Sequence, residues 1–146
     1  MSGKSDGPQR VLFVCTGNTC RSVFAEYLAR HVFDEAVMFE SAGISPQSAT
    51  DAKNAVYTLK KNFDIDASKH QPRDVRSLDL TVYSLIIAFE KSAAKVVQEM
   101  GTPSSKVKIW KIADPWGPDP TEYDRASLEI KRKVLRLKKS HDSNED

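Results

Sequence analysis

The sequence predicts a single α/β domain: a parallel sheet of four strands with helices on both faces. Four short apolar runs alternate with segments of helical periodicity, and parallel strands need helical crossovers between them. The chain has 146 residues, 40% of them hydrophobic, which supplies one core and is too short for two ordinary domains. No internal repeat interrupts the alternation.

Residues 1–9 hold Gly3, Gly7, Pro8 and small polar side chains, a composition that orders poorly, so they are expected to form a disordered extension before a domain spanning 10–139. Val11, Leu12, Phe13 and Val14 read as a strand buried on both faces. From Ser22 to Phe33, the apolar positions Phe24, Leu28, Ala29 and Val32 recur at helical spacing. Residues 37–42 predict a second strand, and residues 43–50 a loop of Gly, Ser and Pro. Asp51 is the expected cap of a helix reaching Phe63, with Ala52, Val56, Leu59 and Phe63 on one stripe. A long connection over 64–79 follows. Residues 85–89 predict the third strand, 92–100 a short helix ended by Gly101, and 107–112 the fourth strand. Asp119, Pro120 and Glu122 spell an N-cap, a proline at the first helical position and a capping-box acid, so the last helix is expected to start there. Residues 140–146 read as a structureless acidic tail. Within that helix the basic positions read as a solvated face, with Glu129 and Lys133 as an ordinary pair, and His31 and His141 read as surface residues.

Composition narrows the function. Lys and Arg number 22 against 20 Asp and Glu, a formal charge of +2, which argues against nucleic acid as a partner. No apolar run approaches the roughly 18 residues of a membrane span, and the start of the chain is polar where a signal peptide is apolar. The expectation is a cytoplasmic protein without a membrane partner. Its cysteines, Cys15 and Cys20, sit too close together to staple distant parts of a fold and read as site residues.

Cys15, Thr16, Gly17, Asn18, Thr19, Cys20, Arg21 and Ser22 fall between the first strand and the first helix. In open parallel sheets, ligands bind at such strand ends. Successive N–H groups in a loop of this kind converge on an anion, and the helix dipole adds to the positive potential. Gly17 permits the tight path, and Arg21 offers a planar fork for two phosphate oxygens. The same field favours a nucleophilic sulfur at Cys15, to which Ser22 can donate a hydrogen bond.

Residues 11–22, followed by Ala25 and Glu26, resemble the signature of the low-molecular-weight protein tyrosine phosphatases. The likeness continues through Ser41, Ala42 and Gly43, His70, and Asp114, Pro115 and Trp116. It implies the sheet order 2-1-3-4, a cysteinyl-phosphate intermediate, and neither cofactor nor metal. Phosphorylated protein is the implied substrate, with inorganic phosphate or vanadate as inhibitors. By this resemblance Cys15 corresponds to the nucleophile, Arg21 to the phosphate-binding arginine and Asp114 to the general acid. A carboxylic acid on a loop stiffened by Pro115 fits that task, though a turn residue before proline is the plain alternative. Asn18, Ser41 and His70 resemble the network that supports the loop, and an exposed histidine is the alternative for His70. Cys20 either fills space or resembles the family cysteine that shields the nucleophile through a reversible disulfide.

Two positions bear on substrate. Trp116 can wall a phosphotyrosine pocket, whereas residues 45–51 supply no second aromatic wall. Thr19, where tyrosine phosphatases of the family carry a larger aliphatic residue, resembles the protein arginine phosphatases. Val23 stands where the family usually has proline. Phosphotyrosine hydrolysis is the expected activity, with phosphoarginine hydrolysis the alternative. Arsenate reduction ranks third, because the related reductases relay a disulfide through further cysteines and this chain has none after Cys20. A phosphoprotein-binding module without turnover is the rival from another class.

Overall fold

β1 (Gln9–Cys15) is buried from Val11 onward because it lies inside the sheet, between two parallel neighbours. The computed structural model describes residues 9–33, 36–115 and 117–143. After β1 the chain forms α1 (Arg21–Val32), β2 (Val37–Gly43), α2 (Lys53–Phe63), β3 (Leu85–Ala88), α3 (Lys91–Glu99), β4 (Val107–Ile109) and α4 (Pro120–Ser143). Short 3-10 turns at Ala49–Ala52, Val75–Ser77, Leu80–Val82 and Ser104–Lys106 complete the connections.

The sheet order is β2-β1-β3-β4, all parallel, as the family resemblance implies. The chain goes from β1 to one side and returns to the other, so the crevice beyond Cys15 is the switch point where open α/β sheets bind ligands. Alternation along β1 divides the core. Val11, Phe13 and Cys15 face α1, α2 and α4 together with Leu28, Leu59 and Ile130, while Leu12 and Val14 face α3 with Ile86 and Val97. Each such buried Leu, Ile, Val or Phe stabilises the fold by about 1.5–3 kcal/mol.

The structure shifts several expected boundaries. β4 ends at Ile109 rather than at residue 112: the Trp110 N–H still reaches the Ala88 carbonyl at 2.9 Å, then the chain leaves the sheet and buries Ile112 in the core. Asp51 does not cap α2 directly. It sits in the preceding 3-10 turn and accepts from the N–H and Oγ of Ser48. α4 begins as expected, with Asp119 Oδ1 accepting from the Thr121 N–H at 3.0 Å, but Glu122 turns to Arg125 instead of closing a capping box. Arg125 also takes Glu129, so Glu129 pairs one turn back and not with Lys133. The helix runs to Ser143, inside the segment expected to be structureless, and the Lys138–Asp142 pair at 2.7 Å supports that last turn. His141 is no free surface residue, since its ring packs 5.6 Å from that of Phe33. Gln9 belongs to β1, opposite Val37. The remainder of the expected extension, residues 1–8, and of the tail, residues 144–146, lie outside the described residues. Among the described residues no helix is long and apolar enough to cross a membrane.

Candidate active site

β1 delivers Cys15 to its carboxyl end and α1 starts at Arg21, leaving residues 16–20 as a loop. Four consecutive carbonyls of this stretch are engaged from outside. Ile44, Ser45 and Gln47 donate backbone N–H groups to Cys15, Thr16 and Gly17 at 3.0, 2.8 and 3.0 Å, and His70 Nε2 donates to Asn18 at 2.8 Å. The loop's N–H groups, by contrast, meet no backbone carbonyl among the described residues. The loop is therefore a row of donors turned toward whatever enters it.

Asn18 is the left-handed residue that lets the loop close, with φ of 57°. Asparagine tolerates that conformation, and here its side chain is fully used. Nδ2 donates to Ser22 Oγ at 2.8 Å and to Ser41 Oγ at 2.9 Å, and Oδ1 accepts from the Arg73 N–H at 2.9 Å. Ser41 Oγ in turn donates to Glu26 Oε1, and Arg30 holds the other carboxylate oxygen at 2.5 Å. Ser22 Oγ accepts from Asn18, so its one proton is left for Cys15 Sγ, 3.0 Å away. The expected supports Asn18, Ser41 and His70 thus meet in one buried network with Glu26, which Arg73 joins from a partly exposed position.

Packing constrains the loop as tightly as hydrogen bonding does. A Cβ on Gly43 would lie 2.6 Å from the Thr16 carbonyl oxygen and 3.0 Å from the Asn18 nitrogen, so the end of β2 must be glycine for the loop to lie against it. A Cβ on Gly17 would instead meet the Gln47 amide oxygen at 2.5 Å.

The Arg21 guanidinium is 4% exposed and fixed on one side. One terminal nitrogen donates to the carbonyls of Phe89 and Ile112, both at 3.2 Å, and the other to Glu90 Oε1 at 2.5 Å. Its Nε is buried without a hydrogen-bond acceptor, 3.4 Å from Asp114 Oδ1. Glu90 also accepts from Thr16 Oγ1 at 3.0 Å and Ser92 Oγ at 2.6 Å. Burial pushes the Glu90 carboxyl up, but the hydrogen bonds from Ser92 and Arg21 outweigh it and hold the group below its ordinary range. Asp114 is displaced the other way. Burial raises it, Arg21 pulls against that rise, and the Glu90 carboxylate reinforces it. Burial, helped by Asp114 and Cys15, pushes the Cys20 thiol up to about 12, so Cys20 stays protonated near neutrality. Neither cysteine is in a disulfide.

Cys15, Thr19, Cys20, Arg21 and Asp114 border one pocket of about 240 Å³, with Gln47, Asp51, Pro115, Gly117 and Tyr123 completing its walls. Thr19 Oγ1 donates to Gln47 Oε1 at 3.0 Å, which ties the loop to the pocket wall. Trp116, the expected aromatic wall, lies outside the described residues. Gln47, Glu90 and Arg73 escaped sequence reasoning because each is a single polar residue far from the loop in sequence, and Glu26 entered it as part of the signature without a role. Glu90 alone had a usable signal, since it follows the apolar run of β3 as Cys15 follows that of β1.

A family model described as low molecular weight phosphotyrosine protein phosphatase matches residues 10–145. An arsenate reductase of Staphylococcus aureus strain N315 is 30% identical over 128 residues, which make up 88% of this chain and 95% of that protein. The structure of a low molecular weight protein tyrosine phosphatase from T. tengcongensis is similar at a TM-score of 0.82 and 28% identity, covering 90% of this chain and 99% of that one. An arginine phosphatase from Geobacillus stearothermophilus reaches a TM-score of 0.82 at 27% identity, covering 93% and 94%. These relatives bear the names of three activities, so the likeness identifies a scaffold rather than a substrate. By a match that takes in the cysteine loop and nearly all of the remaining chain, the protein belongs to the low molecular weight phosphotyrosine protein phosphatase family.

Proposed function

We propose that this protein hydrolyses phosphotyrosine in proteins through a cysteinyl phosphate on Cys15. The observation that carries the reading is the convergence of Cys15, the unpartnered Nε of Arg21 and the half-buried Asp114 on one pocket. Cys15 Sγ attacks phosphorus and the bond from phosphorus to the tyrosyl oxygen breaks. The loop N–H groups and Arg21 hold the equatorial oxygens as charge develops. Asp114, raised by burial, gives its proton to the departing oxygen. It then takes a proton from the water that attacks the phosphoenzyme, and the sulfur leaves with its pair of electrons while Ser22 Oγ donates to it. Asn18, Ser41 and His70 act as positioning residues. Phosphate and vanadate would occupy the same cradle and inhibit. We place this activity in the cytoplasm, where a nucleophilic cysteine stays reduced.

One feature favours phosphoarginine as a second reading. The wall formed by Thr19, Gln47 and Asp51 is polar, and the Asp51 carboxylate suits the N–H groups of a guanidinium. Tyrosine and arginine phosphopeptides of otherwise identical sequence separate the two. Higher kcat/KM on phosphotyrosine supports the first reading, and higher kcat/KM on phosphoarginine replaces it with the second. A protein that binds vanadate yet turns over no aryl phosphate would be a recognition module instead.

A further inference from the structure

A second cleft, of about 670 Å³, opens beside the catalytic pocket and shares Arg21 and Asp114 with it. Its outer wall carries Lys91, at the start of α3, and Lys111, in the segment after β4. Both are exposed, and neither forms an ion pair among the described residues. Three more lysines without such pairs, Lys95 on α3, Lys108 on β4 and Lys106 just before it, extend the positive charge along this edge of the sheet. The acids beside the cleft, Glu90 and Asp114, share the single Arg21, so three cations stand against two carboxylates there. Glu90 has both oxygens engaged by Arg21, Thr16 and Ser92, and Asp114 faces Arg21. Across the catalytic pocket stands the opposite sign, Asp51. A chain whose phosphoresidue enters the pocket therefore crosses a field running from negative at Asp51 to positive at Lys91 and Lys111.

We propose that the Lys91–Lys111 cleft is a docking surface for an acidic stretch of the phosphoprotein substrate, adjacent to the phosphorylated residue. The proposal rests on the phosphatase reading above. An open, shallow surface with two unpaired ammonium groups beside the pocket fits the carboxylates of an extended peptide, whereas a formal charge of +2 for the whole chain does not favour a nucleic acid backbone or an anionic membrane. Charged rims of this kind act chiefly on the encounter rate, so the preference must depend on salt.

The test compares, for each flank in turn, two phosphopeptides that carry the faster-hydrolysed phosphoresidue and differ only in having Glu or Gln on that flank. On the flank that reaches the cleft, the parent should favour the Glu peptide in kcat/KM by about tenfold at low ionic strength, and the ratio should shrink toward one in high salt. The exposed double variant Lys91→Glu/Lys111→Glu should lose or invert the ratio, which a general loss of activity would not move. Binding of the same peptides to Cys15→Ser, followed by fluorescence anisotropy, reads the ratio even without turnover. Equal treatment of the two peptides by the parent on both flanks, or a preference that survives the double reversal, overturns the docking surface. Turnover of a small aryl phosphate alongside that result would leave the phosphatase reading intact. Retention on phosphatidylserine vesicles without a peptide preference would assign the lysines to a membrane and equally overturn the proposal.

Discussion

Replacing Gly43 by alanine should disable the phosphate loop although residue 43 touches no substrate. The added Cβ would sit 2.6 Å from the Thr16 carbonyl oxygen, 3.0 Å from the Asn18 nitrogen and 3.1 Å from the Gly17 carbonyl carbon, and all three are backbone atoms. The closest contact falls about 0.8 Å inside ordinary van der Waals distance, so the loop must move by several tenths of an ångström. Overpacking of this kind costs about 1–3 kcal/mol of stability, and a misplacement approaching 1 Å costs on the order of a hundredfold in rate. Gly43→Ala should therefore lower the unfolding free energy measured in urea by that amount and reduce kcat on a small aryl phosphate roughly ten- to a hundredfold. Gly17→Ala is the control, because the atoms nearest its Cβ belong to the Gln47 side chain, at 2.5 Å for Oε1 and 2.9 Å for Cδ. That side chain can swing away at the loss of its hydrogen bond to Thr19, worth about 0.5–1.5 kcal/mol. In a Gln47→Ala background the Gly17→Ala cost should vanish, a coupling that a double-mutant cycle measures. Full stability and activity in Gly43→Ala, or equal damage from both glycine variants, would refute the reasoning.

Two further outcomes follow from the electrostatics and the hydrogen bonds of the loop. The Glu90 carboxylate helps raise Asp114, so Glu90→Gln should move the alkaline limb of the kcat/KM profile to lower pH, where Asp114 now loses its proton; Asp114→Asn should remove that limb. A limb that stays in place in Glu90→Gln contradicts this coupling. Asn18→Ala would take the acceptor from the Arg73 N–H and the donor from Ser22 Oγ and Ser41 Oγ, and would place alanine at φ of 57°. The expected loss is about 2–4 kcal/mol in urea unfolding, and one below about 1 kcal/mol would show that the network is dispensable to the fold.

The first strand, the loop and the first helix were legible because one short stretch carries an apolar run, a compact anion motif and helical periodicity in succession. The order of the sheet was not readable from periodicity, which gives strands but not their neighbours; it came from the family likeness. The end of α4 was misread because Ser140 and Asp142 look like tail residues, and only the long-range packing of His141 on Phe33 shows the last turn to be docked. β4 was read too long because the apolar run through Trp110 and Ile112 serves two purposes, pairing first and core filling afterward. Around the loop, Asn18, Ser41 and His70 could be named from their resemblance to family positions. Gln47 and Arg73 could not, since their contribution is a tertiary contact with no local pattern behind it, and Glu90 offered only its place just after the apolar run of β3.

The central claim, covalent catalysis by Cys15, is tested most directly by trapping the intermediate. Asp114→Asn lacks the group that activates water, so a phosphoenzyme formed from an aryl phosphate with a good leaving group should accumulate in it. Rapid quenching followed by mass spectrometry should locate the phosphoryl group on Cys15. A phosphoryl group on any other residue, or its absence while the variant still turns over substrate, would contradict the account.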